Sequence, residues 1–392
     1  MPDRERMLAY VDDLRAPRAK PSQSRGSSWN LSSTVSPLDL YCYLKVRFGE
    51  PNGFMMVLKS PTVGNFCHWH YTLDSPEGIV ELLGLDTRTE IRLFRVRDVS
   101  PASWEGLEME LVAGFAQHRE AMQEVRKSFE RWHLFINPYR RLTAIVDRYV
   151  ERLEEIDIGS VSVPVMPKNV SDFPRHAEEV KRAQDLYREA MALSTSIQLI
   201  APVIAEAAIN MLMLLLARPE VRADRRLYED FARRNVDVRI KGLHLCCVGF
   251  AQTITGSEEP FRNVLRVMNR RNDALHGNVD PTASTGDEIF FDHGNIPLVA
   301  RHHTLAETAL AHALADANPT DSLRDVEIVG AFVDFLITRL ESELQPLIRG
   351  ALEQEQLGYR PDTGRVGVIL PAARVDLITG GVSGMSEPDV SE

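Results

Sequence analysis

Hydrophobic and polar positions along this chain follow two periods in turn. GFMMVLK (53–59), FCHWHYTL (66–73) and EIRLFRV (90–96) read as strands. Gly, Pro, Asn and Asp separate them, as in a small antiparallel sheet. GIVELLGL (78–85) fits a fourth strand or a short helix, and PLDLYCYLKVRFG (37–49) fits a helix with Pro37 at its first position. From about residue 101 to 157 the period lengthens. WEGLEMELVAGFAQHREAMQEV spaces its apolar residues by three and four, as on a helix face. Asn137-Pro138 breaks this run into two helices. Helical patterns resume from 175 to 276, at 304–316 and at 322–354. EIFF suggests a strand within the loop 277–300, and VGVIL and VDLIT suggest strands beyond 355.

Two segments read as boundaries: the Pro/Ser-rich stretch 16–36, and 158–174, rich in Val, Pro and Ser. The expected organisation is an N-terminal segment and linker (1–36, with a short charged helix at 3–15) and a small α+β domain (37–100). A helical connector (101–174), a mostly helical domain (175–354) and a tail (355–392) follow. The fold class is therefore α+β, a small antiparallel-sheet domain followed by a helical bundle. The change of period predicts separate cores, so that 101–392 should fold without the first hundred residues. The sequence shows no internal repeat.

Composition changes this picture little. A length of 392 residues suits two or three domains, with 44% apolar and 26% charged residues. The net charge of −11 argues against bulk binding to nucleic acid or anionic membrane, while leaving room for a local basic site. Cys42, Cys67, Cys246 and Cys247 form no Cys-x-x-Cys pair and fit a reducing cytosol. The charged opening MPDRERMLAYVDDLR lacks a signal-peptide core, so a cytoplasmic location is expected. LIAPVIAEAAINMLMLLLA (199–217) has the length of a membrane span, but Pro202, Glu206 and Asn210 interrupt it. It reads as the buried helix of a bundle, with no membrane partner.

The candidate chemistry lies in NRRNDALHGN (269–278). Acidic residues before Pro260 and Gly277 after His276 predict a helix over 259–276. On a wheel of about 100° per residue, Phe261, Val264, Leu265, Met268 and Leu275 form one apolar stripe. Asn272 falls in its middle and Arg271 and His276 at its margins, while Arg270 points to solvent. By residues alone, this pattern fits either the capping of neighbouring helix ends or a site that works on phosphate. Upstream, Glu206 and Asn210 lie one turn apart on an apolar helix, where an unpaired carboxylate is costly, and Arg271 is a credible partner. Arginines are dense here: Arg262, Arg266, Arg270 and Arg271, after a run from Arg222 to Lys241 that reads largely as a solvated face.

RNDALH (271–276) resembles the Arg-x4-His motif of the HEPN superfamily, including the polar residue directly after the arginine. EAAIN (206–210) resembles the Glu and Asn turn on the preceding helix of many HEPN domains. The resemblance covers about 175–350. It implies a HEPN-like helical bundle that dimerises and acts as a metal-independent endoribonuclease without a cofactor, toxin-like or defensive in role. Its alternative is a catalytically silent module that binds RNA, nucleotide or protein. Arg271, His276 and Asn272 would be the catalytic group, with Glu206 and Asn210 in support. The chemistry suits these side chains: His is the natural acid or base near neutral pH, and Arg offers a two-pronged phosphate clamp.

Other constellations carry less. His68 and His70 would share a strand face as a metal pair. With no third ligand nearby, the run reads as an exposed or ligand-facing strand. His70-Tyr71-Thr72-Leu73 and His302-His303-Thr304-Leu305 both fit His-x-Thr-Leu, a pairing found in two-histidine phosphoesterases, although the second opens a helix. There is no phosphate-binding Gly loop, no Gly-x-Ser-x-Gly and no His-Glu-x-x-His.

Overall fold

The computed structural model describes residues 27–31, 35–59, 65–75, 78–85, 88–94, 101–161, 164, 166–276, 289–299 and 318–369. Expectations at 3–15, 277, 302–316 and 375–379 lie outside them. The fold is α+β. The chain divides into two compact units, with the break between Trp132 and His133.

In the first unit, β1 (Ser27–Leu31), β2 (Cys67–Ser75), β3 (Gly78–Leu85) and β4 (Thr89–Phe94) form an antiparallel sheet ordered β1-β4-β3-β2. GIVELLGL is thus a strand. Alternation places Tyr71, Leu82 and Ile91 on one face, where they pack with Leu40 and Leu44 of α1 (Pro37–Phe48), Leu111 of α2 (Pro101–Gln117) and Met122 of α3 (Arg119–Lys127). Ser36 caps α1, Pro37 opens it, and Gly49 (φ 81°) ends it.

Two expectations for this unit change. SSWNL, within the expected linker, is the edge strand β1 paired to β4. GFMMVLK is not a strand: Phe54–Met56 is a 3-10 turn, and its segment seals the open edge of β2. Edge backbone groups need partners. Here Asn52 donates to Thr72 O (3.1 Å) and accepts from Thr72 N (2.9 Å), Gly53 N donates to His70 O (2.8 Å), and Lys59 Nζ donates to His68 O (2.9 Å). A Cβ on Gly53 would stand 2.2 Å from the His70 ring, so only glycine permits this approach.

The expected connector 101–174 is not one body. The apolar sheet face needs a helical cover, and α2 and α3 supply part of it within the first unit. β5 (His133–Ile136) and α4 (Pro138–Ile156) belong instead to the second unit. Nor does 158–174 separate domains, because α4 packs along α5 (Phe173–Leu216), which begins within that stretch.

The 44-residue α5 is the axis of the second unit. One stretch of it is apolar enough to cross a bilayer, and 61% of that stretch is buried inside the protein. After α6 (Pro219–Ala223) and α7 (Arg225–Ala232), helices α8 (Val236–Cys246), α9 (Glu259–His276) and α10 (Pro319–Thr338) pack against α5. Their shared core includes Ile204, Ala208, Ile240, Val264, Met268 and Phe332. β6 (Ile289–Phe291) and β7 (Pro297–Val299) form a small hairpin containing most of EIFF. α11 (Leu344–Glu353) leads into β8 (Gln356–Arg360) and β9 (Arg365–Gly367), and β5 pairs with β8. The start of the expected tail is therefore part of this unit.

Fully buried Asn137 ties both ends of the unit together. Its Oδ1 caps α4, accepting from Tyr139 N (3.0 Å) and Arg140 N (3.4 Å). Its Nδ2 lies within hydrogen-bond distance of the carbonyls of Ala351 (3.3 Å), Leu352 (3.0 Å) and Gln354 (2.9 Å). We expect the fragment 133–368 to unfold cooperatively in urea, and Asn137→Ala to destabilise it by roughly 2 kcal/mol, through a lost cap and unsatisfied carbonyls. A broad, non-cooperative transition would move the boundary, and an unchanged midpoint in the variant would remove the role given to Asn137.

Candidate functional site

α9 spans the predicted residues and presents Phe261, Val264, Val267 and Met268 to the core. Its buried face is centred nearer Val264 than Phe261, because Val267 belongs to it. That shift moves Arg271 onto the face and Asn272 to its margin. Arg271 is 20% exposed, whereas Asn272 is exposed and Leu275 is 61% exposed, so neither of the last two joins the expected stripe. His276 is the last helical residue, and its side chain lies outside the described part.

Arg271 meets Glu206 across the α5–α9 contact, with Nη1 donating to Oε1 at 3.2 Å. Its Nε and Nη2 donate to Oδ1 of Asn272 at 3.3 and 3.0 Å. A single carbonyl oxygen thus sits across the edge of the guanidinium fork, the edge that grips oxyanions in pairs. Asn210 does not face the motif as expected. It is exposed and accepts a hydrogen bond from Arg239 of α8.

The sequence reading assigned Arg239 to a solvated run, but the side chain is 4% exposed. Arg239 Nη1 lies 4.0 Å from Glu206 Oε2, and its Nε is buried with no hydrogen-bond partner among the described residues. Burial pulls its pKa down, and Glu206 pulls it back up. A signal was available: Val236, Arg239, Ile240 and Leu243 follow i, i+3, i+4, i+7, the spacing of a buried stripe. Of the rest of that run, Arg225 and Arg234 do behave as a solvated face, paired one turn away with Glu229 (2.7 Å) and Asp230 (2.6 Å) of α7, whereas Arg222 is half-buried and donates to the carbonyls of Leu214 (2.9 Å) and Gly364.

Arg270 also differs from expectation. It is half exposed, yet it hydrogen-bonds to Asp325 of α10 and lies 3.6 Å from Asp321. The helix wheel placed it opposite the apolar stripe, but α10 packs beside α9 and offers two acids one turn apart. Burial pushes Asp325 up to about 6 against the pull of Arg270.

The two strand histidines do not share a face. The β2–β3 register shifts between Cys67 and Trp69, a bulge that breaks the alternation at His68. His68 lines an open groove with Tyr41, Trp69 and Lys59. His70 is buried beneath residues 53–55, with Nδ1 accepting from Met55 N (3.3 Å) and Nε2 lying 3.6 Å from Glu81. Among the described residues, no group of three or more His, Cys, Asp or Glu could hold a metal ion.

None of the family models, curated proteins or solved structures compared with this chain matches it.

The raised Asp325 predicts a pH effect of definite sign. The folded carboxyl takes up its proton near pH 6 and the unfolded one near 3.8, so the folded state holds more protons between these values. Stability is full below that window and is lost as pH rises through it, by about 3 kcal/mol. Urea unfolding from pH 4 to 7 should show the wild type losing stability relative to Asp325→Asn by about this amount. A difference that stays constant across the range would refute the assignment.

Proposed function

We propose that the second unit carries a metal-independent RNA-cleaving site of HEPN type. The observation that carries this reading is the motif arginine itself. Arg271 is only one-fifth exposed, held by Glu206 on one side, with the Asn272 oxygen across its fork. An oxygen in that place stands where a phosphate oxygen would bind. Asn272 is exposed and, among the described residues, is held only by its neighbour Arg271, so a charged acceptor displaces it at small cost. The HEPN resemblance of RNDALH and the pairing of Glu206 with Arg271 support the same reading.

In this reading the ribose 2′-OH attacks the adjacent phosphorus, the 5′-oxygen leaves, and the product carries a 2′,3′-cyclic phosphate. His276 takes or supplies the proton, and Arg271 stabilises the charge that develops on the phosphorane oxygens. Five residues on one helix place these two side chains about 140° apart around its axis. A second copy of the chain, packed two-fold, would bring Arg271 of one and His276 of the other to a single phosphate. In the binding-only alternative Arg271, held by Glu206, grips the phosphate in the same way but no proton is transferred, so RNA is bound without being cut.

Purified protein acting on labelled single-stranded RNA separates the two. Arg271→Ala and His276→Ala should each lower cleavage by about 10²- to 10⁴-fold while circular dichroism stays unchanged. Asn272→Ala should cost less, EDTA should have no effect, and Arg270→Ala should reduce stability through Asp325 without selectively removing cleavage. Cleavage that survives His276→Ala rejects the mechanism. RNA binding that is lost in Arg271→Ala, with no cleavage by the wild type, selects the binding-only module.

A further inference from the structure

Glu206 stands between two arginines, and it holds them unequally. Its Oε1 is hydrogen-bonded to Arg271 at 3.2 Å, while its Oε2 is 4.0 Å from Arg239, just beyond a hydrogen bond. Arg239 is 4% exposed, is hydrogen-bonded to Asn210, and has a buried Nε with no partner among the described residues. A desolvated guanidinium with spare N–H capacity beside a carboxylate that is a quarter exposed is an acceptor-poor arrangement. It would be relieved by moving Glu206 toward Arg239.

A phosphate on Arg271 would create that need. It would compete with Glu206 for the same guanidinium, and a carboxylate left beside a phosphate repels it. A place for Glu206 to go, already positively charged and already buried, removes the conflict. We infer that Arg239 is a positioning residue that takes over Glu206 when an RNA phosphate occupies Arg271, so that one carboxylate is exchanged between two arginines. In the free protein Glu206 holds the Arg271 side chain in place. In the bound protein it pairs with Arg239, and its charge is neutralised away from the phosphate. This inference rests on the Arg271 phosphate site proposed above, but the exchange can also be tested without RNA.

The test has two arms. The first is urea unfolding of Arg271→Met, Arg239→Met and the double variant, each with and without Glu206→Gln. Either arginine alone can neutralise Glu206, so the double variant should lose more stability than the sum of the singles, and the excess should vanish with Glu206→Gln. The second arm is binding of a fluorescein-labelled single-stranded RNA in the His276→Ala background. Arg239→Met should weaken binding roughly tenfold, the scale of one charged hydrogen bond. With Glu206→Gln present, Arg239→Met should have no effect, because no carboxylate remains to be moved. A merely structural Arg239 would weaken binding equally in both backgrounds. If Arg239→Met does not fold, Arg239→Gln keeps an N–H for Asn210 without the charge and carries the same comparison. Additive unfolding energies overturn the exchange, as does an RNA-binding defect that persists with Glu206→Gln. Both couplings present, with no RNA cleavage by the wild type, would leave the exchange standing and reject only the nuclease reading.

Discussion

A carboxylate on a buried, apolar helix must find a positive charge, and the second unit is arranged around how Glu206 finds one. Helix α5 buries its apolar stretch against α4, α8, α9 and α10. Glu206 interrupts that stretch with a carboxylate only a quarter exposed, which is costly to leave without a positive partner. Arg271 arrives from α9 and Arg239 from α8, on either side of it. Such pairs add little net stability, since desolvation offsets most of the attraction. The attraction between these helices comes from Ile240, Val264, Met268 and their neighbours. What the ionic contacts supply is register: if α9 slid by one turn, Arg271 would lose Glu206 while an apolar face still met the core.

The adjacent arginines of NRRNDALHGN divide this work. Successive residues on a helix point about 100° apart, so Arg271 reaches back to α5 while Arg270 reaches sideways to Asp325 and Asp321 of α10. One dipeptide thereby fixes α9 against two different neighbours. The end of α9, which carries the motif, is held in rotation as well as in position. A side chain proposed to grip a phosphate needs this kind of support, because small displacements cost affinity and rate.

Much of this was legible in the residues. The α9 limits, the α1 start at Pro37, two of the four first-unit strands (with 78–85 left open between strand and helix) and the Glu206–Arg271 contact follow from spacing, turn chemistry and the cost of an unpaired charge. Two of the misses share a cause. Arg239 and Asp325 are charges set on apolar stripes: Val236, Ile240 and Leu243 around one, Val329 and Phe332 around the other. The rule that exposed Glu206 as needing a partner applied to both, but an arginine among arginines reads as surface. Arg270 was misplaced because a wheel describes one helix and says nothing of what packs beside it. Residues 53–59 were read as a strand because an apolar run that seals a sheet edge looks like a strand until its hydrogen bonds are traced. The boundary near residue 100 failed because a change in period marks a change of secondary structure, whereas a domain ends where its core ends.

Asn137 has a consequence for the order in which the second unit can be made. Its carbonyl oxygen caps a helix whose amides follow within three residues, so α4 can start as soon as that stretch leaves the ribosome. Its amide group waits for Gln354, 217 residues later, and β5 waits equally long for β8. Everything between, including α5 and the arginine-bearing helices, is synthesised while β5 has no strand beside it. Contacts so distant along the chain form late and slowly. A ribosome stalled before residue 356 would display the helical part of the unit with the strand at its beginning still unpaired.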